Sequence, residues 1–174
     1  YQTNPKLIFL IFHKIERIII MNVNEMLSEN SFLVGLKSSS KKHILEELSK
    51  LAEKELNISS RDILENLIKR EKLGSTAVGN GIAIPHATDD SIKKPKGFIA
   101  ILTSGLDFNA NDDQPVDIIF LLLAPSNNGS EHLQALASVS RLLRNSELIS
   151  KLRGCQNTES ALAVISQSIK NEAA

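Results

Sequence analysis

The strongest constraint on the fold of this chain is a nearly continuous apolar run from Val116 to Ala124, interrupted only by Asp117. A strand with one face in water alternates apolar and polar residues, whereas a continuous apolar run is typical of a strand covered on both faces. The run therefore predicts a central strand in a sheet that has other elements packed against both faces.

Helical and strand patterns alternate along the rest of the chain. Apolar residues recur at helical spacing in segments 41–56, 59–74, 130–144, 145–153 and 158–170. Further strands are predicted at 31–36, 82–84 and 97–102, and a polar loop is predicted at 87–96. This order predicts an α/β layered domain with a mixed β-sheet flanked by helices on both faces.

Local details of two helices can also be predicted. Ser59 and Asp62 have the spacing of a capping box at the start of the second helix. Ser130 is the predicted N-cap of the helix that follows the central strand. On that helix, Leu133 and Ala137 are predicted to belong to the inward face.

Composition excludes several classes of function. The chain has 174 residues, of which 42% are hydrophobic, so it can form a domain with a real core. Its formal net charge is zero, which argues against nucleic acid or an anionic membrane as the main partner. A single cysteine, Cys155, favours a reducing compartment, and no apolar run reaches the length of a membrane span. We expect a cytoplasmic protein without membrane insertion.

The first 20 residues differ from the rest. The apolar run Leu7 to Phe12 is followed at once by charged residues and lacks a cleavage site of small residues, so a signal peptide is a poor interpretation. Met21 resembles a natural start. We expect residues 1–20 to be an N-terminal extension outside a domain at 21–174, and the alternative is an additional N-terminal strand or helix.

A glycine-rich stretch from Gly74 to Ala87 has the features of a functional site. Asn80-Gly81 is a strong signal for a two-residue hairpin turn, because both positions can adopt positive φ. Pro85 ends the following strand and places His86 on stiff backbone at the strand end. A neutral imidazole there can accept a group covalently and release it again.

The sequence LGSTAVGNGIAIPHA at residues 73–87 resembles the signature of enzyme IIA domains of the phosphoenolpyruvate:sugar phosphotransferase system. The resemblance is to the fructose/mannitol type, and within it to the nitrogen-regulatory branch. It covers about Met21 to Lys170 and implies the same layered fold. In that family the histidine after the proline carries a phosphoryl group on Nε2, and His86 matches that position.

The resemblance implies further site residues, each with an ordinary alternative. His132 matches a second family histidine that would orient His86 or donate to phosphoryl oxygens; the alternative is a solvated histidine in a first helical turn. Arg70 matches an arginine near the active histidine, and otherwise complements a helix C-terminus. Ser75 and Thr76 could supply hydroxyl donors to phosphate, although this pair is also common in turns.

The sequence does not match the motifs of other phosphate-, dinucleotide- or metal-binding sites. No Gly-Lys-Ser/Thr closes the stretch from Gly74 to Gly81 as a P-loop, and Ile84 stands where a dinucleotide fingerprint needs its third glycine. The four histidines show no metal-ligand spacing, so neither metal nor cofactor is predicted. A metal-dependent hydrolase using His86, His132 and Asp89 is a weak alternative.

The predicted function is that of a phosphotransferase component with a phosphohistidine intermediate. An HPr-like phosphocarrier protein would donate a phosphoryl group to His86, most simply in a regulatory, nitrogen-type relay that acts on target proteins. One alternative is a sugar-specific enzyme IIA that passes the phosphoryl group to an enzyme IIB. Another is a regulatory binding module on the same fold that is not phosphorylated.

Overall fold

The computed structural model describes residues 5–174, apart from the side chains of residues 16–22. Its helices are α1 (Pro5–Met26), α2 (Lys41–Leu56), α3 (Ser60–Lys72), α4 (Gly129–Leu142), α5 (Ser146–Arg153) and α6 (Thr158–Ala173). Its strands are β1 (Phe32–Leu36), β2 (Ala77–Gly79), β3 (Ile82–Ala83), β4 (His86–Asp89), β5 (Lys96–Leu106) and β6 (Val116–Pro125).

The strands form one mixed sheet around β6. The order is β1-β5-β6-β3-β2, and β4 pairs with β6 beyond the end of β3. Strand β6 is antiparallel to β5 and parallel to β3 and β4, while β1 is parallel to β5. The apolar run at 116–124 is therefore the central strand, as predicted.

Helices cover both faces of this sheet, which explains why β6 is apolar throughout. Alternate β6 side chains enter two separate cores, because successive residues of a strand point to opposite faces. Ile118, Phe120 and Leu122 pack with residues of α1, α4, α5 and α6. Ile119, Leu121 and Leu123 pack with residues of α2 and α3. The predicted fold class is confirmed.

The predicted polar loop at 87–96 is wrong over its first part. His86–Asp89 forms β4, with His86 opposite Leu122 and Asp89 opposite Pro125 of β6. The side chains of β4 are mostly polar and lack the apolar pattern of a strand. Its pairing comes from main-chain hydrogen bonds rather than from burial of apolar side chains. Strand β5 is also longer than the predicted 97–102.

Three predicted details of helices α3 and α4 are also wrong. Ser59 precedes α3, but its side chain makes no capping hydrogen bond. Asn128, not Ser130, caps α4 by accepting from the backbone N–H of Glu131 at 3.2 Å. Leu133 and Ala137 are exposed, because α4 buries the stripe formed by Ala135, Ser138, Val139 and Leu142.

Helix α1 contributes residues near its C-terminal end to the core of the domain. Val23 and Met26 are buried in the core, whereas residues 5–15 are exposed. The segment is helical, and its division into an extension at 1–20 and a domain at 21–174 stays a prediction; residues 1–4 lie outside the described residues. No helix in the described range is long and apolar enough to cross a membrane.

Candidate active site

The β2–β3 hairpin leads the chain into the candidate site. Asn80 and Gly81 have φ values of 56° and 78°, as the predicted two-residue turn requires. Arg153 Nη2 donates to the carbonyl oxygen of Asn80 at 2.7 Å, and the same guanidinium forms a forked ion pair with Asp117 at the start of β6. The tip of the hairpin is therefore tied to the central strand.

His86 is positioned by main-chain pairing with β6 that begins at Pro85. The carbonyl oxygen of Pro85 accepts from the backbone N–H of Leu122 at 2.9 Å, and β4 begins at the next residue. The imidazole is half-buried, between the sheet and the end of α3. His86 thus begins a strand directly after Pro85, whereas the sequence predicted that it follows the end of a strand at 82–84.

The hydrogen bonds of His86 define its tautomer. Nδ1 lies 2.7 Å from the carbonyl oxygen of Ile84, which can only accept, so Nδ1 carries the proton. Nε2 then has the lone pair, and it accepts from Arg70 Nε at 3.2 Å. This arrangement leaves Nε2 as the nucleophilic nitrogen of a neutral ring.

The electrostatic surroundings keep His86 neutral. Burial is the main cause that lowers the pKa of His86 below its ordinary value, and the nearby Arg70 cation acts in the same direction. The hydrogen bond to Ile84 and the Glu71 carboxylate oppose this shift but do not cancel it. At neutral pH Nε2 therefore carries a lone pair rather than a proton.

Arg70 and His132 both lie beside His86, as the family resemblance implied. Arg70 reaches from the last turn of α3, and its Nη1 donates to the carbonyl oxygen of Gly74 at 2.9 Å. The His132 ring centroid lies 5.7 Å from that of His86, with the two planes tilted by 55°.

His132 differs from His86 in having a polar atom without a partner. Within residues 5–174, its Nε2 atom is buried and has no hydrogen-bond partner. Its pKa is lowered, first by burial and then by the neighbouring His86. Because a buried polar atom normally has a hydrogen-bond partner, this nitrogen is a candidate contact for a ligand.

Ser75 and Thr76 lie in the loop between α3 and β2, with both hydroxyls already donated to protein acceptors. Ser75 Oγ donates to the carbonyl oxygen of Phe108 at 2.6 Å. Thr76 Oγ1 donates to Glu71 Oε1 in a short hydrogen bond. Their assignment as phosphate ligands stays a prediction, because contact with phosphate would require these hydroxyls to exchange partners.

Sequence reasoning did not include Glu71 and Lys41, although both belong to the surroundings of the site. Glu71 follows Arg70 directly. Lys41 Nζ lies 2.6 Å from Glu71 Oε2. The adjacency of Glu71 to Arg70 was the one available signal. Lys41 is thirty residues earlier and has no local pattern that indicates the contact.

The geometry does not favour a metal centre. Among the residues that the structure describes, no group of three or more His, Cys, Asp or Glu side chains is placed to hold a metal ion. The hydrolase alternative would need such a ligand set at His86 and His132.

Comparison with known proteins identifies the family of the chain. Residues 25–168 match the family described as phosphoenolpyruvate-dependent sugar phosphotransferase system, EIIA 2. The chain belongs to this family. The match includes the hairpin, both histidines and Arg70.

Individual proteins of the EIIA family are similar to this chain over most of their length. The chain is 41% identical over 145 residues to a nitrogen regulatory protein of Bradyrhizobium diazoefficiens, covering 83% of this chain and 95% of that protein. It is 34% identical over 133 residues to a fructose-specific EIIA component of Haloferax volcanii, covering 76% and 86%. The crystal structure of nitrogen regulatory protein IIA-Ntr from Neisseria meningitidis superposes with a TM-score of 0.77 at 33% identity, covering 82% and 98%. These similarities confirm the resemblance to the nitrogen-regulatory branch.

Proposed function

We propose that this chain is a phosphocarrier whose His86 accepts a phosphoryl group from a phosphorylated HPr-like protein. The observation that carries the proposal is the hydrogen bond from Nδ1 to the carbonyl oxygen of Ile84. It fixes the proton on Nδ1 and leaves Nε2 as the nucleophile, beside a guanidinium and a second imidazole. Membership of the EIIA family supports this role, and we place the relay in the cytoplasm.

The transfer exchanges one nitrogen–phosphorus bond for another. The Nε2 lone pair of His86 attacks the phosphorus, and the bond from phosphorus to the donor's imidazole nitrogen breaks. The electron pair of that bond returns to the donor ring, which leaves as a neutral imidazole because its other nitrogen carries a proton. The Nδ1 proton of His86 stays on its hydrogen bond to Ile84 throughout, so no external base is needed.

Arg70 has to change partners during this step. Its Nε–H is bonded to the same Nε2 lone pair that must reach phosphorus. When a phosphoryl group enters, the guanidinium turns its N–H groups from His86 to the phosphoryl oxygens, for which its forked geometry is suited. His132 meets the same oxygens with its Nε2 atom, which is buried without a partner among residues 5–174.

Exposed apolar side chains next to the site provide a docking face for a protein donor. Leu73 follows the helix that carries Arg70, and Leu133 follows His132, with exposures of 85% and 67%. Exposed apolar side chains around a chemical site are typical of protein interaction surfaces. The exposure of Leu133 thus has a function that its predicted place in the core did not suggest.

The relatives favour the nitrogen-regulatory form of the relay. A protein named nitrogen regulatory protein is 41% identical to this chain, and phosphorylation of His86 would then change its affinity for regulatory target proteins. The fructose-specific EIIA relative supports the second candidate, in which His86 passes the phosphoryl group to an enzyme IIB.

The first experiment tests the carrier role. The protein is incubated with phosphoenolpyruvate, enzyme I and an HPr-type carrier, and acid-labile phosphate is measured by mass spectrometry. We expect one phosphate on the parent and none on His86→Ala. The matched control is His43→Ala, because the His43 ring lies on α2, where it bonds Ser38 and lies 4.0 Å from Glu47 of the same helix.

Two outcomes would contradict the proposal. Phosphate retained on His86→Ala would place the nucleophile elsewhere. An unmodified parent beside a fully phosphorylated carrier would favour the binding module that is not phosphorylated. If the parent is phosphorylated, transfer to a purified fructose-type enzyme IIB identifies the sugar-specific form. Target binding that differs between phosphorylated and unphosphorylated protein identifies the regulatory form.

A further inference from the structure

A buried polar cluster lies directly behind the candidate site and is not used in the proposed transfer. It consists of Glu71, Lys41 and Thr76, with the carbonyl oxygen of Phe108. The Glu71 side chain is only 7% exposed, and its carboxylate pairs with Lys41 Nζ at 2.6 Å. The same carboxylate accepts from the Thr76 hydroxyl and, at 3.3 Å, from the Thr76 backbone N–H.

The cluster joins parts of the chain that are distant in sequence. Lys41 is the first residue of α2, Glu71 lies in the last turn of α3, and Phe108 follows β5. Lys41 Nζ also donates to the carbonyl oxygen of Phe108 at 3.3 Å and lies 4.6 Å above the Phe108 ring. An ion pair with little solvent access is held by several such contacts, and losing one partner leaves the other charge buried.

Two routes lead from Glu71 to the reacting groups. Arg70 is its neighbour in the same helical turn, so fixing Glu71 fixes the backbone from which Arg70 reaches His86. Thr76 provides the second route: its carbonyl oxygen accepts from the Ile84 backbone N–H at 3.0 Å, and the Ile84 carbonyl oxygen accepts from His86 Nδ1 at 2.7 Å.

We propose that Glu71 is a positioning residue that fixes the Arg70 and His86 side chains relative to each other. It acts through Thr76, and its charge is neutralised by Lys41. The assignment rests on the proposed phosphocarrier function for its kinetic consequence, but not for its effect on the free protein. It also gives the Thr76 hydroxyl a role that needs no contact with phosphate. The distance that it controls is the one between Arg70 Nε and His86 Nε2.

Charge gives Glu71 a second effect on the nucleophile. The titratable and charged groups that face His86 are Arg70 and Glu71 from α3 and His132 from α4. The Glu71 carboxylate raises the pKa of His86 and so opposes the effects of burial and Arg70. Removing this carboxylate would also leave the Lys41 cation without its partner.

The test compares Glu71→Gln with Glu65→Gln. Glu65 is a matched control, because it is an exposed carboxylate on the same helix that pairs with Lys69, four residues later. In the free protein we expect Glu71→Gln to lower the pKa of His86 and to shift the ¹⁵N resonance of its Nε2, both measured by NMR. Glu65→Gln should leave both unchanged.

Kinetics provide the second measurement. If Arg70 and His86 are no longer held in the right relative position, kcat for phosphoryl acceptance should fall about tenfold or more. The KM for the phosphorylated donor should stay within about twofold, because the docking face is intact. A residue that only stabilises the fold would lower the melting temperature and leave the pKa of His86 and the ratio of kcat to KM as in the parent.

Thr76 provides an independent test if Glu71→Gln does not fold. Thr76→Val removes the hydroxyl and keeps the backbone contacts, whereas Thr76→Ser restores the hydroxyl. We expect the valine variant to shift the ¹⁵N resonance of His86 Nε2 in the free protein and the serine variant to restore it. If Thr76 instead binds phosphate directly, the valine variant would change the kinetics alone, with a free His86 like that of the parent.

The proposal is overturned if folded Glu71→Gln and Thr76→Val both leave the His86 pKa and ¹⁵N resonance at parent values. These NMR measurements need no donor. A parent that accepts no phosphate would therefore refute the proposed function while leaving the positioning role of Glu71 to be decided by NMR.

Discussion

His86 and His132 are two half-buried imidazoles 5.7 Å apart, and they differ most in their hydrogen bonds. Both ring nitrogens of His86 have partners, Ile84 on one side and Arg70 on the other. The Nε2 atom of His132 has none in the described part of the chain. A nucleophile needs a defined tautomer before it reacts, whereas a donor to an incoming anion can remain unpaired until the anion arrives.

The backbone context of each histidine explains this difference. His86 begins a strand after a proline, where main-chain carbonyls are close and fixed. His132 lies in the first turn of α4, where its own backbone N–H donates to the carbonyl oxygen of Asn128 and that of Glu131 donates to the Asn128 side chain. A phosphoryl group between the two rings would meet His132 Nε2 from the α4 side and the Nε2 lone pair of His86 from the β4 side.

The largest effect on the difference between the two histidines is expected from removing Arg70, the hydrogen-bond partner of His86 Nε2. Arg70→Ala would leave Nε2 of both histidines unpaired and would remove the cation nearest to the reacting atom. We expect the rate of phosphoryl acceptance to fall about 10²- to 10³-fold, as for loss of a principal transition-state donor. The pKa of His86 should rise, because Arg70 contributes to lowering it.

Two further variants sharpen the Arg70 experiment. Arg70→Lys retains a cation without the fork and should recover only part of the rate. Arg61→Ala removes an exposed arginine from the first turn of the same helix and should behave as the parent. A parent rate for Arg70→Ala would show that the guanidinium serves only the C-terminus of α3.

The second perturbation acts on His132. If its Nε2 donates to a phosphoryl oxygen, His132→Ala removes a hydrogen bond to a charged group, worth about 1.5–3 kcal/mol, or about ten- to a hundredfold in rate. His132→Gln retains an N–H donor and should recover much of that loss. Single-turnover rates with phosphorylated HPr-type donor measure both, and equal rates for the alanine and glutamine variants would assign His132 a packing role.

Much of this architecture could be predicted from short-range patterns. The run at Val116–Ala124 gave the central strand, and Asn80-Gly81 with Pro85 gave the hairpin and the position of His86. Strand β4 could not be predicted in this way, because its polar residues resemble a loop and its pairing with β6 is made by the backbone.

Long-range contacts and exposed surfaces account for the other differences. The contact between Glu71 and Lys41 joins the ends of two helices, and no sequence spacing encodes it. Leu133 fits the apolar pattern of α4 but lies on the side that faces solvent. Periodicity identifies apolar residues without showing whether they are covered by the same chain or by a partner.

The smallest expected effect is on the titration of the two histidines. In the free protein the pKa of each is lowered, mainly by burial. A histidine with a lowered folded-state pKa favours the neutral folded form, so the free energy of unfolding should decrease as pH falls below the ordinary histidine value of 6.5. For the same reason the rate of phosphoryl acceptance should be flat near pH 7 and decline only at lower pH.

Phosphorylation should then separate the two histidines further. A phosphoryl group on His86 Nε2 places negative charge beside His132, and a nearby anion favours the charged imidazolium. The pKa of His132 should rise on phosphorylation, and its Nε2 resonance should shift as that atom gains an acceptor. NMR titration of the parent before and after phosphorylation, with His132→Gln used to assign the resonance, measures this change. A His132 pKa that stays at its free-protein value would mean that the phosphoryl group points away from α4, and Arg70 alone would then bind the oxygens.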